Sequence, residues 1–174
     1  LSYGPRVAAG VCRAATLPVD CHLMVEDPED YCFRFLDAGA TVVSFHLELD
    51  LDHGSLLRRI RARGGRGGLV VNPSTPLQER KHRALLGEAD LFLVMSVHPG
   101  FGGQAFDPSV LGKLETLARW READGLDLVL EIDGGIGPDT AGPAREAGAE
   151  ILVSGSSFFG SDDYAAAAAA LRGG

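Results

Sequence analysis

Alternating apolar and amphipathic segments constrain the fold of this chain more than any other feature of its sequence. Runs rich in β-branched and aromatic residues predict buried strands at residues 18–25, 41–48, 68–71, 91–97, 126–133 and 151–154. Amphipathic segments predict helices at residues 5–14, 28–38, 55–63, 77–86, 108–123, 140–147 and 162–171. Strands that alternate with helices pair in parallel through right-handed crossovers. The sequence therefore predicts one α/β domain over residues 1–174.

An open doubly wound sheet and a closed (β/α)8 barrel both fit this alternation, and two features favour the barrel. Polar residues stand at the carboxyl ends of most predicted strands, where barrel enzymes place their active sites. A dinucleotide-binding doubly wound domain would carry a GxGxxG turn after its first strand, and the sequence has none there. We therefore predict a TIM (β/α)8 barrel, of which six βα units are visible.

Composition limits the kinds of binding partner and the cellular compartment that we expect for this protein. The net charge is −8 and no basic cluster is dense enough to follow a nucleic-acid backbone. No apolar run approaches the roughly 20 residues that span a bilayer, and no secretory signal is visible. The three cysteines, Cys12, Cys21 and Cys32, lack the paired spacing of zinc sites. We expect reduced cysteines, a cytoplasmic location, and neither a nucleic-acid nor a membrane partner.

Acidic residues mark the end of the fifth predicted strand. Alternation puts Glu131 and Asp133 on one face and Leu130 and Ile132 on the other. Two glycines follow at once, so the backbone can turn tightly and its amides stay accessible to a ligand. A carboxylate beside glycines at a strand end is typical of the active sites of α/β proteins.

Three predicted strands bring ionisable side chains to the same expected interior. His22 in the first strand, His46 and Glu48 in the second and Asp133 in the fifth all point away from the apolar faces. An imidazole and a carboxylate suit a divalent metal, which makes His22 and Asp133 candidate ligands. They are also compatible with a hydrogen-bonded core histidine and a structural aspartate. Likewise, His46 can either orient a ligand or pair with Glu48.

Glycine-rich turns follow three of the predicted strands. They comprise residues 98–104, Gly134-Gly135 and Gly155-Ser156. Free amides in loops at successive strand ends of a barrel form an anion cradle, so we expect a phosphate group there. Taken singly, each of these turns would be an ordinary connection.

Five segments together resemble the ribulose-phosphate 3-epimerase family. They are LPVDCHLM at 17–24, VNPSTP at 71–76, MSVHPGFGGQ at 95–104, EIDGG at 131–135 and VSGS at 153–156. The resemblance implies a TIM-barrel isomerase of carbohydrate metabolism, which interconverts D-ribulose 5-phosphate and D-xylulose 5-phosphate in the pentose phosphate pathway. The proton at C3 of the substrate would move through an enediolate that a divalent metal stabilises.

The resemblance also implies roles for individual residues. Asp133 would be the catalytic acid/base and, with His22, a ligand of one divalent ion of Zn, Fe, Mn or Co. The substrate, mainly through its phosphate, would contact His22, Gly100, Phe101, Gly102, Gly103, Asp133, Gly134, Gly135, Gly155 and Ser156. Met24, His46 and Met95 would line the pocket.

The first two strands of the family have no counterpart in this sequence. By resemblance, they would supply a serine that touches substrate, and a histidine and an aspartate that complete the metal site and provide the second acid/base. We expect that the chain lacks its N-terminal βα units; completion by a partner, or a sugar-phosphate binder without turnover, are the alternatives. Within the same fold, epimerisation of allulose 6-phosphate is an alternative activity. We also expect a homo-oligomer.

Overall fold

Six parallel strands form one sheet in the computed structural model, which describes residues 3–100 and 103–173. The strands are β1 (Asp20–Leu23), β2 (Val42–His46), β3 (Arg66–Val71), β4 (Leu91–Met95), β5 (Val129–Asp133) and β6 (Ile151–Val153). Their order in the sheet is their order in the chain, and all neighbours are parallel. A sheet that winds in one direction belongs to a TIM barrel, whereas a doubly wound sheet reverses its order midway. The predicted barrel is therefore confirmed, as a partial barrel of six strands.

Helices flank and connect these strands. They are α1 (Pro5–Ala14), α2 (Pro28–Asp37), α3 (His53–Ala62), α4 (Ala84–Leu86), α5 (Leu111–Asp124), α6 (Pro138–Glu146), α7 (Ser156–Phe159) and α8 (Tyr164–Arg172). A wide π-type turn, Glu79–Arg83, precedes α4, and a 3-10 turn, Pro108–Val110, precedes α5. Within residues 3–100 and 103–173, no helix has both the length and the apolar character needed to cross a membrane.

The two faces of the sheet differ in chemistry, because alternate residues of a strand point to opposite sides. The outer face shares one large apolar cluster with the helices, in which Phe45, Phe92 and Leu130 are fully buried. The inner face has a smaller apolar cluster of Val42, Val70, Leu91, Leu93 and Met95. Polar side chains stand on this inner face toward the carboxyl ends of the strands, so this face is the one available for ligand chemistry.

The segment predicted as a helix at residues 77–86 is the main difference from expectation. Its first part is the wide turn, and only three residues form α4. The buried imidazole of His82 accepts a hydrogen bond from the backbone amide of Gln78 at 3.1 Å, which gives that amide a side-chain partner at the start of the turn. The four-residue α7 was not predicted, because one turn of helix is too short to express a periodicity.

The turn after β5 is fixed by its neighbours. Gly134 and Gly135 have φ angles of +116° and +59°, in or near the left-handed region that favours glycine. The Ser96 hydroxyl donates to the carbonyl oxygen of Gly134, and the Ser96 amide donates to the carbonyl oxygen of Asp133 at 2.8 Å. A Cβ atom on Gly135 would lie 2.4 Å from the backbone nitrogen of Phe106. The backbone here therefore has room for glycine only.

Replacing Gly135 with alanine should destabilise the protein by roughly 2–4 kcal/mol, because the new methyl group meets a backbone atom that cannot move aside cheaply. The matched control is Gly112→Ala, where an added Cβ meets nothing within 4 Å in α5. That control should be neutral or stabilising by up to about 1 kcal/mol. Urea unfolding measures both, and equal effects of the two substitutions would contradict this account of the turn.

Candidate active site

A cavity of about 430 Å³ opens at the carboxyl end of the sheet, among the loops that follow β4, β5 and β6. Nine predicted site residues line it: Met24, Met95, Gly100, Gly103, Asp133, Gly134, Gly135, Gly155 and Ser156. The glycine turns that are distant in sequence therefore meet at one place. Gly103 and Ser156 illustrate this, since a Cβ atom on Gly103 would lie 3.9 Å from the Ser156 hydroxyl oxygen. The predicted contacts Phe101 and Gly102 lie outside the described residues.

His22 lies in a second cavity, of about 700 Å³, between β1 and α1. Met24 and Gly100 line both cavities, so the two are adjacent. His46 was also predicted to line the pocket, but among the described residues it lines neither cavity. Its ring is buried and packs against the ring of His22, with the ring centroids 4.9 Å apart. The structure thus puts Asp133 and His22 in neighbouring cavities, and His46 beside His22.

A carboxyl pair spans the interior below these cavities. Asp20 on β1 lies within hydrogen-bonding reach of Glu131 on β5, although three strands separate β1 from β5 in the sheet. The sheet therefore curls enough for its inner faces to meet. His22 and Asp133 each lie two residues further along the same inner faces. They consequently stand one layer above the carboxyl pair, on opposite sides of the interior.

The carboxyl pair retains a proton at neutral pH. Burial, the charge of Asp20 and the hydrogen bond with Asp20 raise the pKa of Glu131 to about 9. Asp20 is exposed at the edge of the sheet, but the protein atoms around its carboxyl group remove part of the water there and raise its pKa as well. Two carboxyl groups in contact cannot both ionise cheaply, so the pair holds one proton between them.

A chain of hydrogen bonds leads from His22 to the loop after β3. The Nε2 atoms of His22 and His46 are 2.8 Å apart, and His46 Nδ1 is 3.1 Å from Glu48 Oε2. Burial and the neighbouring His46 lower the pKa of His22 to about 4, so its ring is neutral at neutral pH. Burial alone would raise the pKa of Glu48, but hydrogen bonds from His46, Thr75 and backbone amides lower it to about 2.

Asp133 is half-buried at the end of β5 and faces the cavity. Burial raises its pKa, and a hydrogen bond from the backbone amide of Gly134 offsets part of this effect. A carboxylate whose pKa is raised binds a proton more tightly than an exposed aspartate does. Asp133 is therefore a stronger base than a free aspartate while remaining reachable by a ligand.

The donor types in these cavities fit a divalent cation in part. A neutral imidazole at His22 and a carboxylate at Asp133 are two of the ligands that such cations use in proteins. In the part of the chain that the structure describes, no three His, Cys, Asp or Glu side chains form a group that could hold a metal. These residues therefore supply part of a ligand set.

Sequence reasoning missed the role of Asp20 and of Ser96. Asp20 shares the inner face of β1 with His22, but alternation gives no sign that it reaches Glu131 on a strand so far away in the sheet. Ser96 follows β4 directly and is 1% exposed, which makes it part of the support of the turn at Gly134. A serine at the end of a buried strand could have signalled this position.

Comparison with known proteins agrees with the geometry. The model of the ribulose-phosphate 3 epimerase family matches residues 1–159. Ribulose-phosphate 3-epimerase of Mycobacterium tuberculosis is 42% identical over 172 residues, which cover 99% of this chain and 74% of that protein. For the Bacillus subtilis enzyme of the same name, identity is 39% over 174 residues, covering 99% of this chain and 79% of that protein.

The chain belongs to the ribulose-phosphate 3-epimerase family. Solved structures extend the likeness of fold beyond that family. The 3-keto-L-gulonate-6-phosphate decarboxylase of Vibrio cholerae has a TM-score of 0.72 at 14% identity, covering 97% of this chain and 77% of that chain. For 3-hexulose-6-phosphate synthase of Salmonella typhimurium the TM-score is 0.71 at 18% identity, covering 95% and 76%. This chain therefore shares its fold with proteins outside the ribulose-phosphate 3-epimerase family.

The carboxyl pair predicts a pH dependence of stability. Because the folded pKa of Glu131 lies above its unfolded value, its stabilising effect is full below about pH 4.5 and is lost as the pH rises toward 9. Glu131→Gln removes that titration. The unfolding free energy of the variant, relative to the parent protein, should therefore increase by about 1–2 kcal/mol between pH 6 and pH 8.

Urea unfolding at the two pH values measures this difference. Glu115→Gln, which changes an exposed side chain on α5, is the control and should leave the slope unchanged. A parent and a Glu131→Gln variant with parallel pH profiles would show that the pair does not share a proton.

Proposed function

We propose that the chain catalyses the interconversion of D-ribulose 5-phosphate and D-xylulose 5-phosphate. The observation that carries this proposal is the cavity itself, in which a half-buried carboxylate faces glycine turns from three successive strand ends. Family membership supports the same reaction, because relatives that match 99% of this chain carry the name ribulose-phosphate 3-epimerase.

In this proposal, Asp133 removes the proton from C3 of the substrate. The electron pair of the C3–H bond then moves toward the C2 carbonyl, and a planar enediolate forms. Return of a proton to the opposite face at C3 gives the epimer, so inversion requires a second acid/base group on that side. The raised pKa of Asp133 brings its basicity closer to what such a proton transfer needs.

The glycine turns hold the phosphate group in this proposal. Gly103, Gly135, Gly155 and Ser156 line the same cavity as Asp133, and the absence of side chains at the glycines lets a ligand approach the backbone amides. Phosphate binding at the loops after the last strands is a recurrent arrangement in barrels of this kind. The anchored substrate would keep C3 close to Asp133 while its ketose part extends toward Met24 and Met95.

His22 and Asp133 are the residues that would hold a divalent cation, of Zn, Fe, Mn or Co. When bound, the cation would stabilise the negative charge that develops on the substrate oxygens. Support comes from the neutral state of His22 and from its place one layer above the carboxyl pair, across the interior from Asp133. We also propose a cytoplasmic location, which the unpaired spacing of the cysteines supports, and self-association.

A second candidate function is binding of a sugar phosphate without turnover. One observation favours it, namely that no three potential metal-binding side chains group together within residues 3–100 and 103–173. Solvent-deuterium incorporation at C3 of D-ribulose 5-phosphate distinguishes the two functions. The chain is compared with a version extended upstream in its own reading frame, and D-allulose 6-phosphate serves as the competing substrate. Epimerase activity predicts exchange at C3 of the pentulose; phosphate-ester binding without exchange by either protein would favour the binder.

Asp133→Asn should lower the rate of C3 exchange by about 10²–10⁴-fold, because the amide keeps the shape of the carboxylate but cannot accept the proton. Folding should be retained, as judged by circular dichroism and urea unfolding. Asp139→Asn is the matched control, since it makes the same change at an exposed residue early in α6. Exchange at the parent rate in Asp133→Asn would remove Asp133 from the proposed role.

A further inference from the structure

The hydrogen-bond chain behind His22 has a defined direction. Glu48 is ionised at neutral pH, and an ionised carboxylate only accepts hydrogen bonds. Its Oε2 atom is 3.1 Å from His46 Nδ1, so that nitrogen carries the proton of the contact. If Nδ1 carries the only proton of the His46 ring, the other ring nitrogen, Nε2, is an acceptor. In that arrangement His22 Nε2, 2.8 Å from His46 Nε2, is the donor of the contact.

We propose that Glu48 and His46 act as positioning residues, which fix His22 in the tautomer protonated on Nε2 and so leave Nδ1 as the nitrogen offered to a cation. This inference rests on the proposed function only for the use of Nδ1. The proposed tautomer itself requires neither metal nor substrate. A histidine ligand is commonly oriented by a hydrogen bond to its other nitrogen, and here a second imidazole carries that orientation to a carboxylate.

The far end of the chain is anchored on two elements. Glu48 Oε1 accepts a hydrogen bond from the backbone amide of Asn72 at 2.9 Å, which ties the carboxylate to the loop after β3. On the other side, the buried His53 of α3 places its Nε2 atom 3.1 Å from the carbonyl oxygen of His46 and stacks on Phe45. Because Glu48 and the backbone of His46 are both held by packed structure, the His46 ring has little freedom to turn away from Glu48.

Long-range ¹H–¹⁵N correlation spectra of the metal-free protein test the proposal. They identify which nitrogen of each histidine carries a proton. We expect His22 protonated on Nε2 and His46 protonated on Nδ1. Glu48→Ala removes the acceptor and should abolish this preference in both rings. Glu48→Gln should restore it, since its side-chain oxygen can still accept from His46. Glu115→Ala, on the exposed face of α5, should leave both tautomers unchanged.

Titration with Co²⁺, followed by its absorption spectrum, tests the use of Nδ1. Affinity for Co²⁺ should fall by about 10–100-fold in Glu48→Ala and recover largely in Glu48→Gln. A loss of stability alone would not change the tautomers, so the spectra separate positioning from support. If His22 carries its proton on Nδ1 in the parent protein, or if His46 is protonated on both nitrogens, the proposal is wrong. The expected tautomers without any Co²⁺ binding would uphold the orientation and contradict the metal site instead.

Discussion

A contact between two carboxyl groups crosses the interior of the sheet and relates the residues of the candidate site to one another. Asp20 and Glu131 come from strands at nearly opposite ends of the sheet, and they meet only because the sheet curls. A shared proton lets Glu131 stay buried beside Asp20 without two unpaired charges. The contact thereby places β1 opposite β5. His22 and Asp133, which lie two residues after Asp20 and Glu131, therefore also lie on opposite sides of the interior.

The apolar outer face and the carboxyl pair have complementary effects. Burial of the large cluster between sheet and helices drives the strands into one layer, as the hydrophobic effect does in any α/β domain. On the inner face, where the apolar cluster is small, buried polar groups need hydrogen-bond partners. On the β1–β2 side, the polar groups form a chain of hydrogen bonds. On the β4–β6 side, Asp133 and the glycine turns line a cavity.

Sequence patterns could predict the parts of this arrangement that depend on local chemistry. Alternation correctly assigned the inner face of β5, and the glycine turns were recognisable because few other residues fit such backbone conformations. Alternation could not predict which side chains of distant strands come close to each other across the interior. The meeting of Asp20 with Glu131 depends on sheet curvature, which arises from all six strands together. Likewise, the wide turn at Glu79–Arg83 depends on the buried His82, whose environment is set by tertiary packing.

The central claim is that His22 and Asp133, although they line adjacent cavities, face one common ligand position. Crystals soaked in Co²⁺ and measured at the cobalt absorption edge test it directly through the anomalous difference map. The account predicts one strong peak at about 2.0–2.2 Å from both a ring nitrogen of His22 and a carboxylate oxygen of Asp133. A peak that contacts only one of the two side chains, or that lies away from both, would contradict it.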